Sequence, residues 1–378
     1  MVTDFDIAIC GAGPVGLALA ALLVRRGTAP ARIALIDAKT IEQATQDPRS
    51  IALSYGSRQI LEQVGAWPAS ANPIRQIHVS RRGHFGRTLI DCNEYELPAL
   101  GYVTRYGTLV AALATAIDKA GIAVFRPVQM TSATEQKDAV ALQFADGSTF
   151  NTQIVVQAEG GVFADQAAKS LHRDYDQTAI VAHAVTDAPI AHRAFERFTD
   201  EGPLALLPQD DGYALVWCMR PAHAAQLTGL TDAAFLAELQ QAFGSRVGRF
   251  ISVTQRNAYP LGLNARPASS PRTVAIGNAA QTLHPVAGQG LNLGLRDAAV
   301  LGRLLAPEAS PSMLESFVAM RQSDRSVTIQ LTDIMARIFA SAPDSAISQT
   351  LLGLSLGIVD TFRPAKRMLA EQMMFGRR

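Results

Sequence analysis

Apolar residues dominate the first 36 positions, and their spacing changes along the segment. Residues 5–10 have the pattern of a buried strand, residues 15–26 that of a helix ending at Gly27, and residues 32–36 that of a second short strand. The uncharged run from 7 to 24 is nearly long enough for a membrane span, but three glycines and a proline interrupt it. The pattern therefore predicts a β-α-β unit rather than a membrane helix.

The rest of the chain alternates between helical and strand patterns. Helices are predicted at 54–64 and 109–120, each followed by a glycine, and hairpins at 77–90 and 140–156, the second around Asp146-Gly147. Strand patterns dominate residues 177–259, which carry no nucleotide motif, so we expect a separate sheet that covers a ligand. A strand at 274–277, a Gly-rich loop and a helix at 292–305 follow, and residues 312–375 are mostly helical in pattern.

Composition and charge exclude several classes of protein. With 378 residues, 48% hydrophobic and 18% charged, the chain has ordinary globular composition and room for two or three structural units. A net charge of +1 gives no support for a nucleic-acid partner. Residues 360–378 carry five basic against two acidic side chains, which indicates either a solvated helix face or a surface that contacts membrane lipid or a partner.

The three cysteines are widely spaced and form no C-x-x-C pair. A disulfide framework or a zinc site is therefore not expected, and a reducing cytoplasm fits this usage. Cys10 and Cys218 fall in apolar strand patterns and should be core residues. The acidic N-terminus shows no signal peptide, and the histidines show no metal-ligand spacing.

The first chemical motif is Gly11-Ala12-Gly13-Pro14-Val15-Gly16, between the first predicted strand and helix. Its glycines permit a tight turn and close approach of the backbone to a pyrophosphate, and the helix N-terminus supplies free N–H groups. Asp37, at the end of the second strand, is placed to accept hydrogen bonds from a ribose diol. Together these features predict a Rossmann-type dinucleotide site. The motif alone does not distinguish FAD from NAD.

A second motif, from Ala275 to Asn292, makes that distinction. Its sequence, AIGNAAQTLHPVAGQGLN, resembles the second FAD fingerprint of the class A aromatic hydroxylases, in which an Asp usually occupies the position of Asn278. The resemblance implies that a strand delivers a polar side chain to the ribityl chain. A Gly-rich loop and the following helix then direct N–H groups and positive potential at the flavin.

The string from Gly277 to Pro285 is similar to one subfamily in particular, the 2-polyprenyl-6-methoxyphenol hydroxylases of ubiquinone biosynthesis. Residues 49–53, 77–80, 193–199, 202–208, 215–218 and 362–365 also resemble that subfamily, so the likeness covers almost the whole chain. It implies an α/β fold like that of para-hydroxybenzoate hydroxylase. A discontinuous FAD domain (1–75, 101–175 and 261–310) would be combined with an α+β substrate domain (76–100 and 176–260) and a helical C-terminal segment (311–378).

The resemblance also implies the chemistry. NAD(P)H reduces FAD, O₂ adds at flavin C4a to give a hydroperoxide, and the terminal oxygen is transferred to the phenol ring para to its hydroxyl, which yields a 1,4-benzoquinol. NAD(P)H binds transiently and the flavin carries the reaction, so no catalytic triad is expected. The substrate would be a hydrophobic prenylated phenol. A membrane surface and a ubiquinone-biosynthesis assembly are implied partners for the C-terminal segment of a cytoplasmic protein peripheral to the inner membrane.

Carried over position by position, the resemblance gives a set of site residues. Arg49 and Arg105 would approach the FAD phosphates or ribityl chain, with a surface ion pair as the alternative for Arg105. His284 would face the substrate or, alternatively, order the flavin loop. The residues expected to bind FAD are Gly11, Gly13, Pro14, Gly16, Asp37, Arg49, Arg105, Gly277, Asn278, Pro285, Gly288, Gln289, Gly290, Leu291 and Asn292.

One family motif is altered. Where these hydroxylases usually carry Asp-Gly and a later Arg, this chain has Glu159-Gly160 and Gln166. Glu159 is a candidate to keep the carboxylate role, and the change bears on how the nicotinamide is received. Two alternatives therefore stay open beside para hydroxylation: a sister enzyme acting at another ring carbon, and an FAD-binding assembly subunit with little activity of its own.

Overall fold

The computed structural model describes residues 3–82, 87–160, 171–265, 270–283, 288–340 and 375. The strands in chain order are β1 (Phe5–Cys10), β2 (Ile33–Ile36), β3 (Ser50–Ser54), β4 (Asn72–Ile74), β5 (Gln76–Arg81), β6 (Arg87–Asp91), β7 (Gly101–Arg105), β8 (Ala123–Phe125), β9 (Met130–Glu135), β10 (Val140–Phe144), β11 (Thr149–Gln157), β12 (Leu171–Thr186), β13 (Arg193–Phe198), β14 (Pro203–Gln209), β15 (Gly212–Met219), β16 (Phe250–Val253), β17 (Asn257–Ala265) and β18 (Thr273–Ala275).

The helices are α1 (Pro14–Arg25), α2 (Ile41–Thr45), α3 (Tyr55–Gln63), α4 (Tyr106–Ala120), α5 (Pro221–Thr228), α6 (Asp232–Phe243), α7 (Gln289–Leu305) and α8 (Pro311–Ala340). Of the predicted elements, the β-α-β unit, both hairpins and the helices near 54–64 and 109–120 are confirmed. Helix α7 begins three residues before the predicted start, at Gln289. The strand predicted at 274–277 ends at Ala275, and a 3-10 turn follows it.

The first sheet has the strand order β8-β2-β1-β11-β10-β9, and β18 also pairs with β11. Its strands β8, β2, β1, β11 and β18 are parallel, so their carboxyl ends meet at one edge. Successive residues of β1 point to opposite faces: Ile7 and Ile9 pack in the core with α1, α4 and α7, while Ala8 and Cys10 pack in a core on the other face. Burial of both faces explains why β1 is almost continuously apolar.

The second sheet has the strand order β16-β12-β15-β14-β13-β5-β6, and β17 pairs with β12. One face of this sheet packs against α5 and α6 through Trp217, Phe195 and Phe235. The strand patterns of residues 177–259 predicted neither helix, although Phe235, Leu239 and Phe243 lie on one helical face and Thr231 caps α6. We call the opposite face of this sheet, which carries Ala194 and Ala214, the inner face.

A small sheet, β3-β7-β4, connects the two larger ones. Its residues Ile74 and Val103 pack on Ala194 and Ala214 of the inner face, and Ser50 Oγ donates a 2.8 Å hydrogen bond to Gln209 Oε1. The mixed α/β fold agrees with the fold class expected from the sequence. The helical pattern of residues 312–375 is confirmed as far as Ala340, and residues 341–374 lie outside the described part of the chain. In the described residues, every helix is too short or too polar to cross a membrane.

Candidate active site

The Gly11–Gly16 loop lies at the carboxyl edge of the first sheet, between β1 and α1. Gly11 has a φ of +110°, and a Cβ atom there would lie 2.5 Å from the carbonyl carbon of Ala158. A Cβ atom at Gly16 would lie 1.9 Å from the carbonyl oxygen of Gly11. Both glycines are therefore needed for the tight turn, and Pro14 fits the first position of α1, where its missing N–H costs nothing.

Asp37 follows β2 and holds this loop through its carboxylate. Asp37 Oδ2 accepts a hydrogen bond of 2.6 Å from the amide of Ala12, and Oδ1 accepts one of 2.7 Å from the amide of Lys39. Arg126, which follows β8, donates to the carbonyl oxygen of Ala12 at 2.6 Å and lies 3.7 Å from Asp37. A carboxylate and a guanidinium thus meet at the edge where the sequence predicted the ribose and phosphates.

Arg49 lies on the ring of Tyr106, with its guanidinium carbon 4.9 Å from the ring centroid. The guanidinium also forms a bidentate pair with Asp47, with distances of 2.9 Å and 2.7 Å. Burial opposes ionisation of Asp47, but the hydrogen bonds and charge of Arg49 outweigh it and hold the pKa of Asp47 below its ordinary value. Arg49 is therefore fixed in position just before β3. Tyr106, on which it lies, reaches the first motif, because its hydroxyl oxygen would lie 3.0 Å from a Cβ atom at Gly13.

Arg105 has a different environment at the end of β7. Its guanidinium pairs with Asp210 at 2.7 Å, and both side chains are about half exposed. This is the surface ion pair that the sequence left open as the alternative to an FAD contact. An exposed pair of this kind is easily broken, so a role of Arg105 at FAD stays a prediction.

Asn292 ties the second motif to the small sheet. Its Oδ1 accepts hydrogen bonds from the amide of Ser54 at 2.8 Å and from Ser57 Oγ at 2.7 Å. Its Nδ2 donates to the carbonyl oxygens of Ala52 at 3.0 Å and of Gly288 at 2.7 Å. The side chain is only 2% exposed, and these four bonds use its full capacity. Its side chain therefore orders the loop, and a contact of Asn292 with FAD stays a prediction.

The second motif contacts the first through α7 and α1. Gly277 has a φ of +58°, and a Cβ atom there would lie 3.2 Å from Val15 of the first motif. Gly288 has a φ of +59° and caps α7, whose first residues are Gln289, Gly290, Leu291 and Asn292. A Cβ atom at Gly290 would lie 4.0 Å from Asn278 Oδ1. The N-termini of two helices and both glycine loops are thus brought together. Of the predicted site residues, His284 and Pro285 lie outside the described residues.

Comparison with known proteins identifies the ligand of this arrangement. A family described as "FAD binding domain" matches residues 4–330. The chain belongs to this family. It is an FAD-dependent hydroxylase of the class A type, as the sequence motifs predicted, and NAD(P)H and O₂ are the co-substrates typical of the family.

Individual relatives are similar to this chain over most of their length. The chain is 30% identical to "Ubiquinone hydroxylase UbiL" of Rhodospirillum rubrum, over 98% of this chain and 89% of that protein. It is 30% identical to "3-demethoxyubiquinol 3-hydroxylase" of Escherichia coli, over 78% of each chain. The crystal structure of p-nitrophenol 4-monooxygenase PnpA from Pseudomonas putida matches the whole of both chains with a TM-score of 0.78 at 15% identity, which shows the same fold.

The residues present fit FAD. Gly11 and Gly16 permit the tight turn, and at Gly13 a Cβ atom would meet, among the described residues, only the hydroxyl of Tyr106, at 3.0 Å, so the backbone there can approach a pyrophosphate beside the free N–H groups of α1. Asp37 offers its carboxylate where the adenosine ribose is held in such folds. The first residues of α7 point their N–H groups and the positive end of the helix dipole at the other half of the site, where an anionic reduced flavin would be stabilised. When bound, FAD supplies the redox chemistry and the activation of O₂.

Glu159 and Gly160, which replace the usual Asp-Gly, follow β11 at the same sheet edge as Asp37. Burial, followed by the negative charge of Asp37, raises the pKa of Glu159 above its ordinary value. Gln166 lies outside the described residues. Within the described part of the chain, no group of three His, Cys, Asp or Glu side chains is arranged to hold a metal ion.

Two features of the flavin site were not predicted from the sequence. Arg126 belongs to no motif, but it directly follows β8, which is parallel to β2. A basic residue directly after a strand that is parallel to β2 could have been predicted to lie at the same sheet edge as Asp37. A buried charge cluster lies behind the second motif: Asp297 of α7 pairs with Arg321 at 2.7 Å and Arg325 at 2.8 Å from α8. Arg325 also donates to the carbonyl oxygen of Ala275 at 3.1 Å, so α8 supports the strand that leads into Gly277.

Proposed function

We propose that this enzyme is a ring hydroxylase of ubiquinone biosynthesis, and that its substrate is a prenylated methoxyphenol hydroxylated para to the phenol hydroxyl to give a 1,4-benzoquinol. The observation that carries the proposal is the 30% identity with a ubiquinone hydroxylase over 98% of the chain. It is supported by the residues 277–292, whose string from Gly277 to Pro285 is similar to the corresponding subfamily.

The inner face of the second sheet supports the proposal, because it offers an apolar surface to a substrate. This face carries small and apolar side chains such as Ala205, Val216 and Val181, which are partly exposed. An aromatic ring with a prenyl tail would bury this apolar surface, which favours its binding. The small sheet, which packs on the same face, is joined to the flavin loop through Asn292.

A second candidate is hydroxylation at a different ring carbon. It is favoured by the relative named 3-demethoxyubiquinol 3-hydroxylase, which is as similar in identity as the first but is matched over less of its length. The two candidates share fold, cofactor and substrate class, so they differ only in which ring carbon faces the flavin.

The test uses the purified full-length holoenzyme with NADH or NADPH, a short-chain 2-prenyl-6-methoxyphenol and ¹⁸O₂. NAD(P)H oxidation stimulated by the phenol, with one ¹⁸O atom para to the hydroxyl in the product, is the expected result. Label at another ring carbon would favour the second candidate. NAD(P)H oxidation without hydroxylated product would contradict both. No nicotinamide consumption despite bound FAD would favour the remaining alternative, an assembly subunit.

Association with a membrane surface or an assembly through the basic C-terminal segment is also a proposal. Residues 360–378 carry the charge surplus, and all of them except Phe375 lie outside the described residues. Flotation of the purified enzyme with anionic vesicles, compared with a chain truncated before residue 360, would test it.

A further inference from the structure

One carboxyl group lies on the inner face without any partner. Glu196 is in β13, two residues after Ala194, so its side chain points to the same face as Ala194. It is only partly exposed and forms no hydrogen bond or ion pair with any described residue. Buried carboxylates are usually paired, because an ionised group without a partner is costly to remove from water. We therefore expect the unpaired carboxyl group of Glu196 to interact with a bound ligand.

The strand register gives Glu196 apolar neighbours. It lies opposite Val79 of β5 on one side and Ala205 of β14 on the other, and the same row continues to Val216 and Val181. All five side chains are partly exposed, whereas Ala194 and Ala214 in the adjacent row are covered by the small sheet. We call this row the open strip. It is an apolar surface with a single carboxyl group in it.

A chain of contacts connects the open strip to the flavin loop. Asn292 bonds to Ala52 in β3, and β3 pairs with β7, which carries Val103. Val103 packs on Ala194, and Ala194 precedes Glu196 by two positions on the same face. The open strip therefore lies next to the surface that joins the sheet to the flavin site.

We propose that Glu196 is a catalytic residue whose carboxylate accepts the proton of the substrate's phenol hydroxyl as the ring receives its oxygen atom. This assignment rests on the proposed function. The overall balance is phenol, O₂, NAD(P)H and one proton giving the quinol, NAD(P)⁺ and water. NAD(P)H supplies the two electrons that bring O₂ to the peroxide level. Loss of the hydroxyl proton to Glu196 then lets the ring oxygen push electrons into the ring as the new carbon–oxygen bond forms at the para carbon and the O–O bond of the peroxide breaks. The electrons of the O–O bond leave with the other oxygen atom, which takes up the proton later lost from the para carbon and ends as water.

The second half of the step restores the enzyme. The para carbon then loses its hydrogen as a proton, the ring becomes aromatic again, and the proton held by Glu196 returns to the ring oxygen. The carboxylate is regenerated and no electrons are gained or lost by the protein. A residue that only fixed the substrate would not need to ionise in this cycle, so the proposal has a distinct pH signature.

Burial raises the pKa of Glu196 to about 7. A general base with a pKa near the working pH is well matched to proton transfer. Below pH 7 the group is protonated and cannot accept a proton, so hydroxylation should rise with pH through about 7 and then level off. Because burial disfavours the charged form, the folded protein should lose stability as the pH rises from about 4.5, the ordinary pKa of a glutamate, to about 7, and E196Q should abolish that loss.

The test compares the wild-type enzyme with E196Q and with the matched control E238Q. Glu238 is exposed on α6, which packs on the opposite face of the same sheet. With the short-chain 2-prenyl-6-methoxyphenol, E196Q should lower kcat for hydroxylated product by about a hundredfold, the usual size of a general-base effect, and flatten the pH profile. FAD content and KM should change little, and E238Q should match wild type.

The outcomes separate this proposal from the proposed function. If the wild type makes no hydroxylated product from any prenylated phenol, the proposed function fails. If the wild type hydroxylates but E196Q keeps its rate and its rise with pH, or if the wild-type profile is flat from pH 5.5 to 8.5, Glu196 is not the base. The wild-type profile needs no variant, so poor folding of E196Q would not leave the question open.

Discussion

The carboxylate of Asp37 accepts a 2.6 Å hydrogen bond from the amide of Ala12, the second residue of the first glycine motif. One acidic side chain at the end of β2 therefore shapes the turn after β1 as well as offering an oxygen to a ribose. Arg126 from β8 closes the same arrangement by donating to the carbonyl of Ala12. The order of three parallel strands thus determines the geometry of the dinucleotide loop.

Asp37→Ala should weaken FAD binding. The change removes a charge-assisted hydrogen bond within the loop and the predicted ribose acceptor, and one such bond is worth about 1.5–3 kcal/mol, or roughly 10- to 100-fold in Kd. Titration of apoenzyme with FAD, followed by quenching of flavin fluorescence, measures the change. Asp138→Ala, an exposed residue in the turn between β9 and β10, is the control and should bind FAD like wild type. Equal affinity of the two variants would contradict the role of Asp37.

Asn292→Ala should destabilise the fold as well as the flavin loop. The change leaves the amide of Ser54 and the carbonyls of Ala52 and Gly288 without their buried partner. At about 1 kcal/mol for each lost bond, the free energy of unfolding should fall by about 2–4 kcal/mol. Urea unfolding of the apoenzyme measures it, since FAD release then plays no part. A loss below 1 kcal/mol would show that water replaces these bonds.

The sequence was most informative where an interaction is local. The Gly11–Gly16 loop, its strand and its helix are contiguous, so spacing alone predicted them, and Asp37 is reached one β-α-β unit later. Three of the four partners of Asn292, namely Ala52, Ser54 and Ser57, are more than 230 residues away in the chain, and only the packing of α7 against β3 brings them together. The motif therefore identified Asn292 as a site residue, but it did not show that all hydrogen bonds of its side chain are made to other residues of the protein.

The position of Glu196 on the inner face could not be predicted from the sequence. Glu196 follows Phe195 in a strand that was predicted correctly, but nothing in the alternation distinguishes a carboxyl group on an open polar face from one in an apolar row of the sheet. That distinction depends on the strand order, which places β13 between β5 and β14, and on the small sheet that covers the adjacent row. Helices α5 and α6 were not predicted, because the chain segments before and after them have strong strand patterns.

Asp297→Asn should be strongly destabilising. Asp297 is fully buried and neutralises Arg321 and Arg325, of which Arg321 is only 4% exposed. Removing one partner of a buried ion pair leaves an uncompensated charge, and the usual cost is about 3–5 kcal/mol. Urea unfolding should show this loss, whereas the control Asp118→Asn, on the exposed side of α4, should change stability by less than about 0.5 kcal/mol. Asp324 also pairs with Arg321, at 2.6 Å. A small effect of Asp297→Asn would therefore mean that Asp324 or water compensates the arginines.

Asn278→Asp should leave FAD bound, although the substitution restores the residue usual in the family. The two side chains have the same shape, and either oxygen can accept a hydrogen bond from a ribityl hydroxyl. Asn278 Oδ1 lies near the first turn of α7, 4.0 Å from where a Cβ atom of Gly290 would be, and the helix dipole there tolerates a negative charge. This interaction is worth about 0.3–1 kcal/mol, so the Kd for FAD should change by less than about tenfold.

Asn278→Leu provides the matched comparison, because it keeps the size of the side chain and removes its polar atoms. If Asn278 is a ribityl contact, this variant should bind FAD more weakly than either Asn278 or Asp at that position, and its purified form should show a lower ratio of flavin to protein absorbance. Complete loss of flavin from Asn278→Asp, or equal binding by Asn278→Leu and wild type, would contradict the assignment. The uncharged amide would then serve the loop between Gly277 and α7 rather than the cofactor.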